Sequence, residues 1–563
     1  MQPKPWPDVP DATVRVARAA FPKGALAIRI RDELGSWYED ADFAGVFAVQ
    51  GKPGVSPAQL AMVTVLQFTE NLTDRQAADA VRGKIDWKYC LGLDLADDGF
   101  EFTVLHGFRG RLAAGGAERV IFGRLLDLVK ERGLVKAGGR QRTDSTHVLA
   151  RIRELNRLEL AGETVRAALE ALAAAAPGWL ATVIDASWQQ VYGQRVDNMR
   201  LPESQAARDA LAVQYGRDGY YLLEQATGAS APGWLAELPA VQVLRAIWIQ
   251  QYYRDIGEGG EKVIRREQRE HGLPPGRDRL LSPYDLDARY GEKHGKGWSG
   301  YKYHATETVS DPAGDDPGTG RPELPNVITD VQTTHAAVAD VAMTEPVQHS
   351  LAAAGLAPGE HTVDSGYISA DLLVACGQRG ITLIGPLLAD HSPQARAGGY
   401  TQDAFAIDFD ARQATCPQGA VSITWQPRGK QGKEAIAVRF DAATCRGCPA
   451  RDQCTTARWT GRQLLIRPRH IHQAVTAARA SQQTPDWQER YKARAGIEGT
   501  MRQSTHVTGI RRARYTGLGK TRLEHLAAAT AINVIRLDAW YNGNPIDRTR
   551  TTHLQRIDLE PAA

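Results

Sequence analysis

Between residues 297 and 388 the chain switches repeatedly between a period of two and a period near 3.6. That alternation restricts it to a layered α/β fold. Segments 297–308 and 326–334 read as strands, 336–353 as a helix, and 361–363 as a short strand ending at Asp364. A helix at 372–378 and a strand at 381–388 follow. An earlier strand is expected at 139–150, GRQRTDSTHVLA, which is rich in Thr and Val and lacks helical spacing. The linker 310–325 is dense in Pro, Gly and Asp and reads as a loop.

Around this core the pattern is different. Residues 25–135 read as short helices with tight breaks. Ser56-Pro57 gives an N-cap and a first-turn proline with Gln59 in capping-box position, and Thr73 repeats the signal with Gln76. Such a unit fits a helix-turn-helix-like DNA-binding module and fits a small helical bundle equally well. From 151 to about 280 stripes such as Val165, Leu169, Leu172, Ala176 and Val241, Leu244, Trp248, Tyr252 predict helices packed on one another. Residues 389–475 are rich in Gln, Gly, Arg and Cys with short β-like runs. Thr484-Pro485-Asp486 starts a helix, and a long helix is expected over 520–541. The expected division is therefore 1–135 helical and DNA-binding; 136–150 with 281–388 as first parts of the core; 151–280 a helical insertion; 389–475 a β-rich Cys insertion; 476–545 the last part of the core; and 546–563 a tail.

Composition narrows the class without naming a partner. Apolar residues at 43% and charged residues at 24% are globular values. Sixty-eight Lys and Arg against 65 Asp and Glu leave +3, so any nucleic-acid surface must be local. Six cysteines exclude a disulfide-rich secreted scaffold, and the Pro-rich N-terminus lacks the apolar stretch of a signal peptide. The longest charge-free apolar stretch, 171–184, is broken by Pro177-Gly178 and is too short to span a membrane. A soluble intracellular protein is expected.

Two motifs echo each other: Thr143-Asp144-Ser145 and Val363-Asp364-Ser365, each an apolar or β-branched strand that ends in Asp followed by Ser. Carboxylates at the ends of neighbouring strands can converge on one point, where a hard cation such as Mg²⁺ takes one or two of them. An Asp after a strand is also a common turn former. Tyr491, Arg494, Glu498 and Arg502 share a helical spacing, either an ion-paired solvent face or part of a site. Arg511, Arg512, Arg514 and Lys520 follow, and the stretch 488–525 carries a clear excess of Lys and Arg, a candidate phosphate-contacting surface. Gly519-Lys520-Thr521 is no nucleotide-binding loop, because the earlier glycine that loop requires is Arg514 here.

The stretches TDSTHV at 143–148, SPYDLDARYGEKHGKGWSGYKYH at 282–304, TVDSGY at 362–367 and RYKARAGIEGTMRQSTHVTGIRRARYTGLGKT at 490–521 together resemble the DDE transposases of bacterial insertion sequences. The resemblance covers nearly the whole chain. It implies an RNase H-like, retroviral-integrase-like mixed sheet flanked by helices, with Asp144, Asp364 and Glu498 as the catalytic, metal-binding triad. It implies two Mg²⁺ or Mn²⁺ ions per site, double-stranded DNA (element ends and target) as partner, an assembly of at least two subunits on DNA, and a bacterial cytoplasmic setting. Tyr491, Arg494 and Lys302 stand where phosphate contacts are expected, with Arg502, Arg511, Arg512, Arg514 and Lys520 as further DNA contacts. One departure is Thr505, with His506 beside it, at the place where some relatives carry Lys. A nuclease lacking strand transfer and a silent DNA-binding relic are the rival readings. His147 and His304 read as satisfied polar residues rather than ligands.

Cys416, Cys445, Cys448 and Cys454 fall close together in the β-rich insertion. The Cys445-x₂-Cys448 pair beside two more thiols is the ligand set of a structural zinc site, which would stabilise an insert too small for its own apolar core. Four reduced thiols in incidental proximity is the alternative. Cys90 and Cys376 are expected as packed thiols, and Trp425 and Trp459 as core residues, with stacking on an unpaired base as the alternative.

Overall fold

The Thr- and Val-rich run after Gly139 forms the central strand of the main sheet. A computed structural model describes residues 3–48, 54–195, 201–257, 260–267, 270–293, 295–310, 324–388, 390, 392–429 and 434–543. The expected tail, 546–563, and most of the expected loop, 311–323, lie outside them. The six strands are β1 (Arg140–Leu149), β2 (Arg289–Lys293), β3 (Lys296–Thr308), β4 (Ile328–His335), β5 (Glu360–Val363) and β6 (Thr382–Ile384).

β1 divides the sheet into two kinds of pairing. On one side it runs antiparallel to β3, with Asp144 opposite Ala305, and β3 carries β2 and then β4 along its far edge, both antiparallel. On the other side β1 is parallel to β5, and β5 to β6. Parallel neighbours need a crossover. The helix Thr344–Ala353 leads into β5, and Ala370–Gln378 joins β5 to β6. The former is shorter than the expected 336–353, because Asp340–Met343 is a 3₁₀ turn.

The sheet is covered by the helix Leu518–Tyr541, which is apolar around most of its circumference and therefore buried along most of its length. It packs against β4 and, on its other flank, against the helices Pro57–Thr69, Arg119–Glu131 and Thr103–Ala114. Asn533 ties it to the strand: its amide donates to the Ile328 carbonyl and its oxygen accepts the Ile328 N–H, both at 2.8 Å. One apolar core thus joins Leu60, Phe68 and Phe108 near the N-terminus, Tyr301 and Tyr303 in β3, and Ile532 near the C-terminus.

The N-terminal helices begin where their caps direct. Ser56 accepts the Gln59 N–H, although the Gln59 amide bonds the Leu91 carbonyl instead of closing a box. Thr73 and Gln76 form the full reciprocal box.

Helices between Arg157 and Gln251 pack around a second apolar core that includes Leu172, Leu244 and Trp248. The expected run of helix to 280 is corrected here. An antiparallel hairpin, Tyr252–Gly257 with Gly260–Arg265, follows the helix Pro239–Gln251. Tyr252, expected as the last position of a helical stripe, starts the strand yet still packs into that core.

In the Cys-containing segment, Thr424–Arg428, Ala435–Arg439 and Gln463–Ile466 make a three-stranded antiparallel sheet. Contrary to expectation it has an apolar cluster of its own, with Phe405, Val438, Phe440 and Ile466 buried. Trp425 packs edge-on to Phe409, whereas Trp459, expected in a core, is 85% exposed.

Candidate active site

The register between β1 and β5 sets the site. Their last paired residues are Thr143 and Val363, so Asp144 and Asp364 are the first residues beyond the parallel ladder on adjacent strands. Asp144 continues into the antiparallel pairing with β3 and is 7% exposed. Its Oδ1 accepts the Ser145 N–H at 2.7 Å. Burial pushes its carboxyl above the ordinary carboxylate range, the Ser145 N–H and Arg494 oppose the shift, and the charge of Asp364 adds to it. Asp364 ends β5 in a turn, where its Oδ1 accepts the Gly366 N–H at 2.8 Å.

Glu498 comes from the first turn of the helix Gly496–Val507 and its side chain is 69% exposed. Arg494 connects it to the sheet. One guanidinium nitrogen lies 2.9 Å from Asp144 Oδ2 and the other 3.2 Å from Glu498 Oε1. The expected single helical face is interrupted: Pro485–Lys492 ends, Ala493–Ala495 makes a 3₁₀ turn, and a new helix starts at Gly496. The backbone stays right-handed throughout, so the i,i+4 pair from Arg494 to Glu498 survives the break. Tyr491 stacks on Trp487 with ring centroids 4.9 Å apart. Burial raises the pKa of its hydroxyl, Arg494 opposes this, and the charges of Asp364, Asp144 and Glu498 each add to it. Tyr491 and Arg494 thus stand in the field of all three acids.

Among the described residues, no group of three or more His, Cys, Asp or Glu side chains is arranged to hold a metal ion, at the acids or elsewhere. At the acids the guanidinium of Arg494 is the cation that joins Asp144 to Glu498. The donor chemistry nevertheless suits a hard divalent ion: oxygen ligands only, one of them buried and destabilised by a second carboxylate.

Lys302 is not free for phosphate. Its ammonium donates to the Val338 carbonyl and pairs with Asp340 Oδ1, both at 2.8 Å. Asp340, which carries no motif and falls inside the expected helix 336–353, also accepts the Ser145 hydroxyl at 3.2 Å and is therefore a fourth acid beside the site. His304 is fully buried between Tyr367 and Thr334, and burial pushes it down to about 4, so it is a satisfied neutral residue. Burial likewise lowers His147, whose ring lies 5.5 Å from Trp298.

The basic stretch divides in two. Arg502, Arg512 and Lys520 are exposed, although Arg512 also donates to the Ala150 carbonyl at 3.4 Å. Arg511 bonds the Thr146 hydroxyl at 3.1 Å and the His147 carbonyl at 2.8 Å, and its own carbonyl accepts the Leu149 N–H. Arg514 bonds the Leu72 carbonyl at 2.6 Å and Asn71 Oδ1, and covers the Phe68 ring. A run of arginines carries no mark of which side chains turn inward. Here Arg511 and Arg514 bind β1 and the N-terminal helices.

Cys416, Cys445, Cys448 and Cys454 line one cavity of about 290 Å³ with Tyr400, Phe440 and Arg462. Cys416 Sγ accepts the Ala420 N–H at 3.3 Å, and Cys445 Sγ the Arg462 N–H at 3.5 Å. Burial raises the Cys454 thiol, Arg462 opposes the shift, and the other three cysteines add to it. The four thiols face one space but no three of them form a ligand set, so the expected zinc cage is not assembled. Cys90 and Cys376 are buried thiols, as expected.

No helix among the described residues is long and apolar enough to cross a membrane. No curated protein and no solved structure matches the chain. Residues 415–538 match the family described as Transposase DDE domain, a stretch that contains Glu498 and neither aspartate. Residues 15–111 match Transposase domain (DUF772). A transposase family model is thus matched towards each end of the chain, and the two matches support a DDE transposase of insertion-sequence type.

Proposed function

We propose that this transposase binds the terminal inverted repeats of its insertion sequence, cuts DNA there with divalent metal ions and transfers the strand to a target. The observation that carries this reading is the side-by-side exit of Asp144 and Asp364 from β1 and β5, with Glu498 linked to Asp144 through Arg494. The order β4–β3–β1–β5–β6, antiparallel and then parallel, supports an RNase H-like core.

Asp144, Asp364 and Glu498 are the residues that would hold the metal ions, Mg²⁺ or Mn²⁺. When bound, such ions lower the pKa of an attacking water or 3′-hydroxyl and neutralise the leaving oxygen. The chain's own contributions are to bind and to orient. Arg494 presents a planar fork suited to a phosphate once it leaves the carboxylates. Tyr491, stacked on Trp487, offers a hydroxyl beside it. Arg502, Arg512 and Lys520 give exposed positive charge along the same stretch for the DNA backbone. Pairing two element ends calls for at least two subunits on DNA. The cysteine cavity supports a structural zinc that draws the thiols together, and zinc content with and without Cys445→Ser tests it.

Incubation with Mg²⁺ and a duplex carrying the element's end is the test. Cleavage followed by joining of the 3′ end to a second duplex is expected. Cleavage without joining favours a nuclease, and equal cleavage by wild type and Asp144→Ala overturns the triad.

A further inference from the structure

We infer that Glu307 is a positioning residue of the active site, holding the helix of Glu498 in place against the strand of Asp144. The inference rests on the reading of Asp144, Asp364 and Glu498 as metal ligands. Glu307 lies in β3 directly opposite Arg142, and Arg142 stands two residues before Asp144, on the same face of β1. The Glu307 carboxylate is 0% exposed, and each of its oxygens is engaged. Oε1 takes Arg142 at 2.7 Å. Oε2 takes the Thr500 hydroxyl at 2.6 Å and Arg536 at 2.7 Å.

Each of these partners leads to a different part of the site. Thr500 lies two residues beyond Glu498 in the same helix and is itself bonded by Arg536 from the helix Leu518–Tyr541 at 2.6 Å. Arg142 donates to the Ala493 carbonyl, which directly precedes Arg494. A Cβ added at Gly496 would meet the Arg142 guanidinium, so the helix start is packed onto the same network. One buried carboxylate therefore reaches Asp144 through two residues of strand, Glu498 through two residues of helix, and Arg494 through one peptide. A bulky ion pair in a core is rarely needed for stability, since apolar packing serves as well. A fully satisfied one fixes relative placement, and a misplacement of about 1 Å at a reacting centre costs about 100-fold in rate.

The test compares full-length wild type, Thr500→Val, Thr500→Ser, Glu307→Gln and Asp144→Ala for Mn²⁺ binding by calorimetry, DNA affinity, and Mg²⁺-dependent cleavage of an end duplex. Thr500→Val removes the tether to the helix without leaving a charge unpaired. It is expected to keep its DNA affinity, to bind Mn²⁺ about tenfold more weakly and to lose about 100-fold in kcat. Thr500→Ser, which keeps the hydroxyl, is expected to match wild type, and Glu307→Gln to change in the same direction as Thr500→Val. A Thr500→Val enzyme that binds Mn²⁺ and turns over like wild type, or that loses melting temperature alone, overturns the inference and leaves the triad intact. Equal Mn²⁺ binding by wild type and Asp144→Ala removes the metal-site reading, and the positioning role falls with it.

Discussion

Asp144 is held by a balance of opposite influences: burial and Asp364 disfavour its charge, while Ser145 and Arg494 favour it. Taking away Arg494 leaves a buried carboxylate without its ion pair, at a cost on the order of 3 kcal/mol. Arg494→Gln is therefore expected to melt lower than wild type without metal and to regain more of that loss when Mn²⁺ is added, as a thermal-shift titration will show. The arginines of the C-terminal stretch separate in the same way. Arg512→Ala and Lys520→Ala are each expected to weaken DNA binding and to make its salt dependence shallower, by about 1 in slope for every phosphate left without its cation. Arg514→Ala is expected to keep the slope and lose about 1–3 kcal/mol of stability, since it strips partners from Asn71 and Leu72. Sequence can show that these side chains are basic and clustered. It cannot show which face inward, because Arg514 is committed by residues more than 400 positions away.

Helix starts are the most legible elements because a cap is a local event. The Thr73–Gln76 box forms where its residues predict, and Thr73→Ala is expected to cost about 1 kcal/mol in chemical denaturation. The strands of Asp144 and Asp364 are equally plain as β-branched runs, although only the second stops at its acid; the first continues through Asp144 to Leu149. Two elements depart from expectation for one physical reason: spacing records which residues are buried, not how the backbone carries them there. Tyr252 is buried among the helices although it stands in a strand, and Arg494 reaches Glu498 although a 3₁₀ turn lies between Tyr491 and the next helix. Asp340 gives no local signal, because its bonds to Lys302 and Ser145 arise only when β1, β3 and the segment before Thr344 meet. Gly496 is silent likewise. Gly496→Ala is expected to push Arg142 away from Glu307 and to lower both cleavage and the melting temperature.

At the scale of the molecule, buried titratable groups set how stability follows pH. Burial holds His304 and His361 at about 4 and His525 at about 3, against 6.5 in the open chain. Below pH 6.5 the unfolded chain takes up these protons and the folded one does not, so their contribution is lost as the pH falls towards 4. Glu524 acts in the opposite sense. Burial raises it from 4.5 to about 7, so its contribution is complete below pH 4.5 and is lost as the pH rises to 7. Of these four groups the three histidines outweigh the glutamate, so their combined contribution is expected to climb between pH 4.5 and 6.5. Glu524→Gln removes the opposing group, and its melting temperature is expected to climb more steeply over that range.

The helix Leu518–Tyr541 has a consequence for incomplete copies of the protein. It supplies the surface on which the first hundred residues close as well as the one behind β4. A premature stop anywhere upstream of it deprives the opening segment of its lining along with the catalytic end. Chains cut short before Leu518 are therefore expected to fold poorly and to be digested rapidly in limited proteolysis.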